Sequence, residues 1–150
     1  MPAFRTADPD LQANKQTVTR MLERLSAGDV SGFVDSLAPD YVRHCQAMPP
    51  DLQEIRGRDA MEAYLRGNME TFPDYREEVE WLVAEGDYVA WRSRGTGTMT
   101  GSLGPFPPTR EKLDVVIIGM HRFEGGRVAE TWTSWDNMAA LTQLGLLPEA

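Results

Sequence analysis

Residues 113–136 read LDVVIIGMHRFEGGRVAETWTSWD. Two runs rich in β-branched and aromatic residues, Leu113–Glu124 and Arg127–Trp135, flank the pair Gly125–Gly126, which is the strongest hairpin signal in the chain. If the second run is a regular strand, Val128, Glu130, Trp132, Ser134 and Asp136 share one face. Asp136 then stands beside an indole and directly ahead of a short helical stretch, NMAALTQLG. Those two settings pull a carboxyl in opposite directions. On an enclosed face, desolvation raises its pKa toward values at which it can give and take protons. At a helix start it caps free backbone N–H groups, which favour the ionised form. Both readings stay open.

Working outward, the period of two continues upstream as far as Pro73. YREEVEWLVAEGD (75–87) alternates through Val79, Trp81 and Val83 before a turn at Glu85, Gly86 and Asp87, and its REEVE portion reads as a solvated face. YVAWRSRGTGTMTG (88–101) places Val89, Trp91 and Ser93 on one side and Ala90, Arg92 and Arg94 on the other. SLGPFPPTREK (102–112) is a proline-rich loop. Before Pro73 the spacing is helical. DLQANKQTVTRMLERLSAGD (10–29) repeats Leu11, Val18, Met21, Leu22 and Leu25 on one stripe and stops at Gly28. Asp29 can cap a second helix, VSGFVDSLA (30–38), that turns Phe33, Val34 and Leu37 to the core. PDYVRHCQAMPPDLQEIRG (39–57) reads as a short extended piece and a surface loop, and RDAMEAYLRGNMETF (58–72) as a helix ended by Pro73. Helices followed by an antiparallel meander predict an α+β fold, with N-terminal helices on a strongly curved antiparallel or mixed β-sheet, enclosing a cone-shaped pocket.

Composition narrows the function. The 150 residues fit one domain, 1–150, and 41% hydrophobic content supports a packed core. A formal charge of −8 gives no reason to seek nucleic acid or an anionic membrane, and no window is apolar for long enough to span a bilayer. The opening MPAFRTADPDLQANK lacks the layout of a secretory leader, and the lone Cys45 fits a reducing cytoplasm. With His44 and His121 as the only histidines there is no metal-ligand spacing, and no phosphate or dinucleotide fingerprint is present. The expectation is a cytoplasmic protein working without metal or cofactor.

LAPDYVRH, GRDAMEAYL, TFPDYREEVEWLVAEGDYVAW, GTGTMTG, GPFPPT and GMHRFEGGRVAETWTSWDNMAALTQLG follow one another in the order and spacing of a known family. The chain resembles the SnoaL-like polyketide cyclases, also called ester cyclases, of the NTF2-like fold, over roughly residues 14–145. Met99 stands where members commonly carry a histidine, and the proline loop runs TREK instead of Thr-Gly-Lys. The resemblance implies an NTF2-like cone and catalysis by an aspartate at the position of Asp136, with a nearby histidine, here His121. It also implies a hydrophobic, polycyclic or polyketide-like small molecule as substrate, closed into a ring by aldol-type carbon-acid chemistry.

Of the remaining candidates, His44 follows DYV and is placed at the pocket mouth, where it could orient substrate. Phe33, Tyr41, Met69, Trp91, Trp132 and Ser134 are candidate substrate contacts, although each aromatic alone reads as ordinary core. Glu130 is either buried and bonded or facing the pocket, and Cys45 has no basic partner with triad geometry. Trp81 and Val83 leave apolar sheet uncovered, which predicts a homodimer or homotetramer packed through the outer sheet face. A non-catalytic binding or dimerising module, or an isomerase, hydrolase or hydroxylase of the same family, are the alternatives.

Overall fold

The computed structural model describes residues 10–148, so the opening residues 1–9 lie outside it. Helix α1 (Asp10–Ser26) buries Val18, Met21, Leu22 and Leu25, the stripe its spacing predicts. Asp29 accepts the Gly32 amide at 2.9 Å and starts α2 (Val30–Val34). This helix is shorter than expected. Leu37 is still buried, but it opens strand β1 (Leu37–Cys45). The extended piece read around DYVRHC is therefore a full nine-residue strand. Pro39, which has no N–H to give, falls within the irregular stretch between Leu37 and Val42 where pairing with β6 shifts register. A single 3₁₀ turn (Pro50–Leu52) and strand β2 (Glu54–Arg56) lead into α3 (Arg58–Thr71), which stops just before Pro73.

Strands β3 (Arg76–Glu85), β4 (Tyr88–Thr98), β5 (Lys112–Glu124) and β6 (Arg127–Trp135) form the meander, and α4 (Asn137–Gln143) follows. The sheet order is β2-β1-β6-β5-β4-β3, with β1 and β6 parallel and every other pair antiparallel. Gly125 and Gly126 both have positive φ, 57° and 79°, which the two-residue turn between β5 and β6 requires. Helix α1 packs on β3 and α2, α3 on β1 and α2, and α4 on β5. One face of the sheet is thus covered, and Val89, Trp91, Val115, Ile117, Phe123 and Val128 meet the helices there in a common core. The other face keeps large apolar side chains in water, among them Trp81, Val83, Ile118 and Trp132. Among the described residues, no helix is long and apolar enough to cross a membrane.

Candidate active site

The decisive local feature is one extra residue in β6. Phe123 pairs with Val128 and Arg122 with Glu130, so Ala129 is a bulge. Val128 therefore points inward, while from Glu130 onward the even-numbered residues point outward and Thr131, Thr133 and Trp135 take the helix-covered side. A second bulge at Glu80 acts likewise in β3, placing Glu77 and Val79 inside and Trp81 and Val83 outside.

The inner face carries a connected polar set in an apolar layer. His121, only 5% exposed, sets Nδ1 2.7 Å from the Thr131 hydroxyl, and Thr131 also bonds the Tyr41 hydroxyl. The imidazole lies parallel to Trp91, with ring centres 4.2 Å apart and planes 6° apart. Gly119 makes that possible, because a Cβ there would run into the far edge of the Trp91 indole. Burial holds the imidazole neutral, with its pKa down to about 3, and pushes Tyr41 up to about 12. No described residue bonds Nε2.

On the far side of the indole, Trp91 Nε1 donates to Ser93 Oγ at 3.1 Å, and Ser93 donates to Glu77 at 2.5 Å. Tyr75 donates to the other Glu77 oxygen at 2.9 Å. Burial raises the Glu77 pKa, although the bonds from Ser93 and Tyr75 oppose it. Arg43, on β1, is 6% exposed, and its guanidinium lies over the rings of Tyr64 and Trp135.

Of the residues expected at the site, His121, Tyr41 and Trp91 come together on this face. Phe33 is core within α2, and Met69 packs against the core from α3. Four others stand elsewhere. Trp132 and Ser134 are on the outer face, because the Ala129 bulge reverses the alternation that a regular strand would have kept. His44 joins them there, since Tyr41, Arg43 and Cys45 take the inner positions of β1. It stacks on Trp132 at 5.6 Å and bonds Glu130 at 2.7 Å. Asp136 is exposed, and its carboxylate accepts the Ala139 amide at 3.0 Å as the N-cap of α4. Of the two readings left open for Asp136, this geometry is that of the cap.

Sequence reasoning missed Arg43, Thr131, Tyr75, Glu77 and Ser93 as one polar set. Their signal was parity: Glu77 shares a face with Val79, and Arg43 with Tyr41 and Cys45. REEVE is therefore solvated only in part, with Glu77 buried among exposed neighbours.

The sequence profile of the SnoaL-like polyketide cyclases matches residues 15–144, and the chain belongs to that family. Among solved structures, it is similar to AclR from Streptomyces galilaeus, a candidate hydroxylase, at 28% identity and a TM-score of 0.79, over 92% of this chain and 99% of that one. It is similar to IdmH from Streptomyces antibioticus, a candidate polyketide cyclase, at 29% identity and 0.75, over 88% and 98%. An epoxide hydrolase of the LEH-like type from M. tuberculosis, 15% identical, shares the fold at a TM-score of 0.73 over 91% of this chain and 92% of that one. No protein of curated function matches the chain by sequence.

Proposed function

We propose that this chain is a cyclase that closes a ring in a polyketide-like substrate by an intramolecular aldol step, with His121 as the proton-transfer group. The observation that carries this reading is a neutral imidazole fixed at Nδ1 by Thr131, stacked on Trp91, and with no partner at Nε2 among the described residues. With the Nδ1 proton donated to Thr131, Nε2 has a lone pair to offer. It takes a proton from a carbon flanked by two carbonyl groups. The enolate carbon then attacks a second carbonyl in the same molecule, forming a C–C bond as the C=O π pair moves to oxygen. The imidazolium returns its proton to that alkoxide, so the product is an isomer of the substrate. Burial disfavours an imidazolium standing alone, and the enolate beside it supplies the counter-charge. In this reading the rings beside His121 hold the chain in a reactive conformer. Nothing in this step needs a metal or cofactor. The lone, buried Cys45 supports action in the cytoplasm.

Two copies pairing through the exposed outer sheet face belong to the same reading, supported by the apolar side chains it leaves in water. The test of the chemistry is deuterium uptake by acetyltetralone, a cyclic β-diketone, followed by NMR. The native protein should accelerate exchange at the carbon between the carbonyls and His121→Gln should not. Binding of acetyltetralone without accelerated exchange would favour a pure binding module.

A further inference from the structure

Arg43 and Glu77 are ionisable side chains on the inner face that the proposed chemistry leaves unused, and of the two Arg43 is the one without side-chain acceptors for all its nitrogens. It forms no ion pair among the described residues, and its Nη1 is buried with no hydrogen-bond partner. The guanidinium carbon lies 4.7 Å from the centre of the Tyr64 ring and 5.8 Å from that of Trp135. Aromatic rings compensate the flat face of a guanidinium and the Tyr64 hydroxyl also engages it, but neither serves the buried Nη1. Glu77 acts on Arg43 only at a distance. One buried nitrogen of the guanidinium, Nη1, is therefore left unsatisfied, a condition that folded proteins seldom leave without cause.

Its position adds a second observation. Arg43 is in register with Thr131 across β1 and β6, and Thr131 with His121 across β6 and β5. The three form one row, with Arg43 and His121 two strand spacings apart, about 10 Å between Cα atoms. Tyr64, Thr133 and Trp135, beside that row, keep partial exposure, so the row is not sealed from outside.

We infer that Arg43 is the anchor for a planar, delocalised oxygen anion on the substrate, either a carboxylate or the enolate of a β-dicarbonyl group. Both present two oxygens in one plane, which suits the edge of a guanidinium better than the point charge of an ammonium. The inference rests on the inner face being the reaction site, and it sets the substrate class: an acid or an enolised dicarbonyl, held a few bonds from the carbon that meets His121. Neutral esters and isolated ketones would lack this anchor.

Calorimetric titration of the intact protein with naphthoate and with its methyl ester tests this directly. The native protein should bind naphthoate at least tenfold more tightly than the ester. Arg43→Met should erase that preference while leaving the ester within twofold, and Arg43→Lys should restore part of it. Acetyltetralone and its derivative methylated at the carbon between the carbonyls, which cannot form the delocalised enolate, make the second arm. A preference confined to that pair identifies the enolate as the anchored group, and one confined to naphthoate identifies the carboxylate. The comparison on native protein needs no variant, so it holds even if Arg43→Met does not fold. Equal binding of both members of both pairs overturns the inference, as does an Arg43→Met protein that keeps the native melting transition and loses charged and neutral probes alike. His121→Gln should keep the naphthoate preference. Anchoring without exchange, or exchange without anchoring, therefore tells which of the two readings has failed.

Discussion

His121 and His44 each lie flat against a tryptophan and each hold one short hydrogen bond, on opposite faces of the same sheet. Their partners differ. His44 bonds a carboxylate, Glu130, whose pKa is lowered first by that bond and further by Arg122. The whole group stands half in water at the outer surface. His121 bonds a hydroxyl and is fully desolvated, with no carboxylate bonded to it among the described residues. The outer trio reads as surface electrostatics of modest worth. The inner one is desolvated and oriented, with no partner at Nε2 among the described residues, which is the arrangement the proposed proton transfer uses. Residue type and an aromatic neighbour do not separate these histidines. The face does.

The largest expected effect tests that contrast. His121→Gln should slow exchange or turnover by roughly 10²–10⁴-fold, the usual range for a general acid–base group. His44→Gln should change it less than about threefold, within the small range expected of a surface ion pair. Steady-state rates for both variants decide the matter, and equal losses would break the contrast between the faces.

Stability against pH separates the faces by a second route. Folded His121 takes up a proton only near pH 3, whereas in the unfolded chain it does so near 6.5. Between those values the unfolded state binds the extra proton, so His121 withdraws stability as pH falls from 6.5 toward 3. The slope is at most about 1.4 kcal/mol per pH unit. Glu77 has the opposite sign: its raised folded pKa lowers stability as pH rises above the unfolded carboxyl value. Urea unfolding of native protein and His121→Gln at pH 7 and 4.5 isolates the histidine, because the remaining groups are common to both. The native protein should lose more stability on acidification. Identical losses would show that His121 is not held neutral.

The outer face offers the next test. Ile118 is 53% exposed beside Trp132 and Met120. If two copies pair there, light scattering should find a dimer at micromolar concentration. Ile118→Asp should then weaken it by roughly tenfold or more, about 1.4 kcal/mol. A native monomer would remove the pairing.

How much of this was legible follows from the same strands. The period of two marked β3 to β6, and the period of 3.6 marked α1 and α3, because burial on one side writes itself into residue spacing. Which side each residue faces was lost at the bulges. Ala129 adds one residue and reverses everything after it, carrying Trp132 and Ser134 outward with no change in composition. The trace that did exist was small: Val128 and Ala129 are adjacent apolar residues where alternation calls for one. Arg43 was hidden for another reason. A charged residue between Val42 and His44 reads as exposed until the parity of Tyr41 and Cys45 is given more weight than hydropathy.

The smallest expected effect concerns Asp136, where the two readings of the last strand met. Its carboxylate accepts the Ala139 amide in the first turn of α4, so its contribution is that of a cap. Asparagine keeps an acceptor in the same place, and Asp136→Asn should leave melting nearly unchanged. Alanine has none, and Asp136→Ala should cost on the order of 1 kcal/mol. Helix α4 packs on β5, where the Gln143 side-chain oxygen accepts the Asp114 amide at 2.8 Å, so fraying at the cap should loosen that contact first. Hydrogen exchange at Asp114 and Ala139 would report it before the global melt does. Acid–base chemistry at Asp136 predicts the reverse ordering: Asp136→Asn as slow as Asp136→Ala, with stability untouched by either. A fully active Asp136→Asn protein, paired with a destabilised but active Asp136→Ala, would assign this aspartate to the helix and leave the chemistry to the inner face.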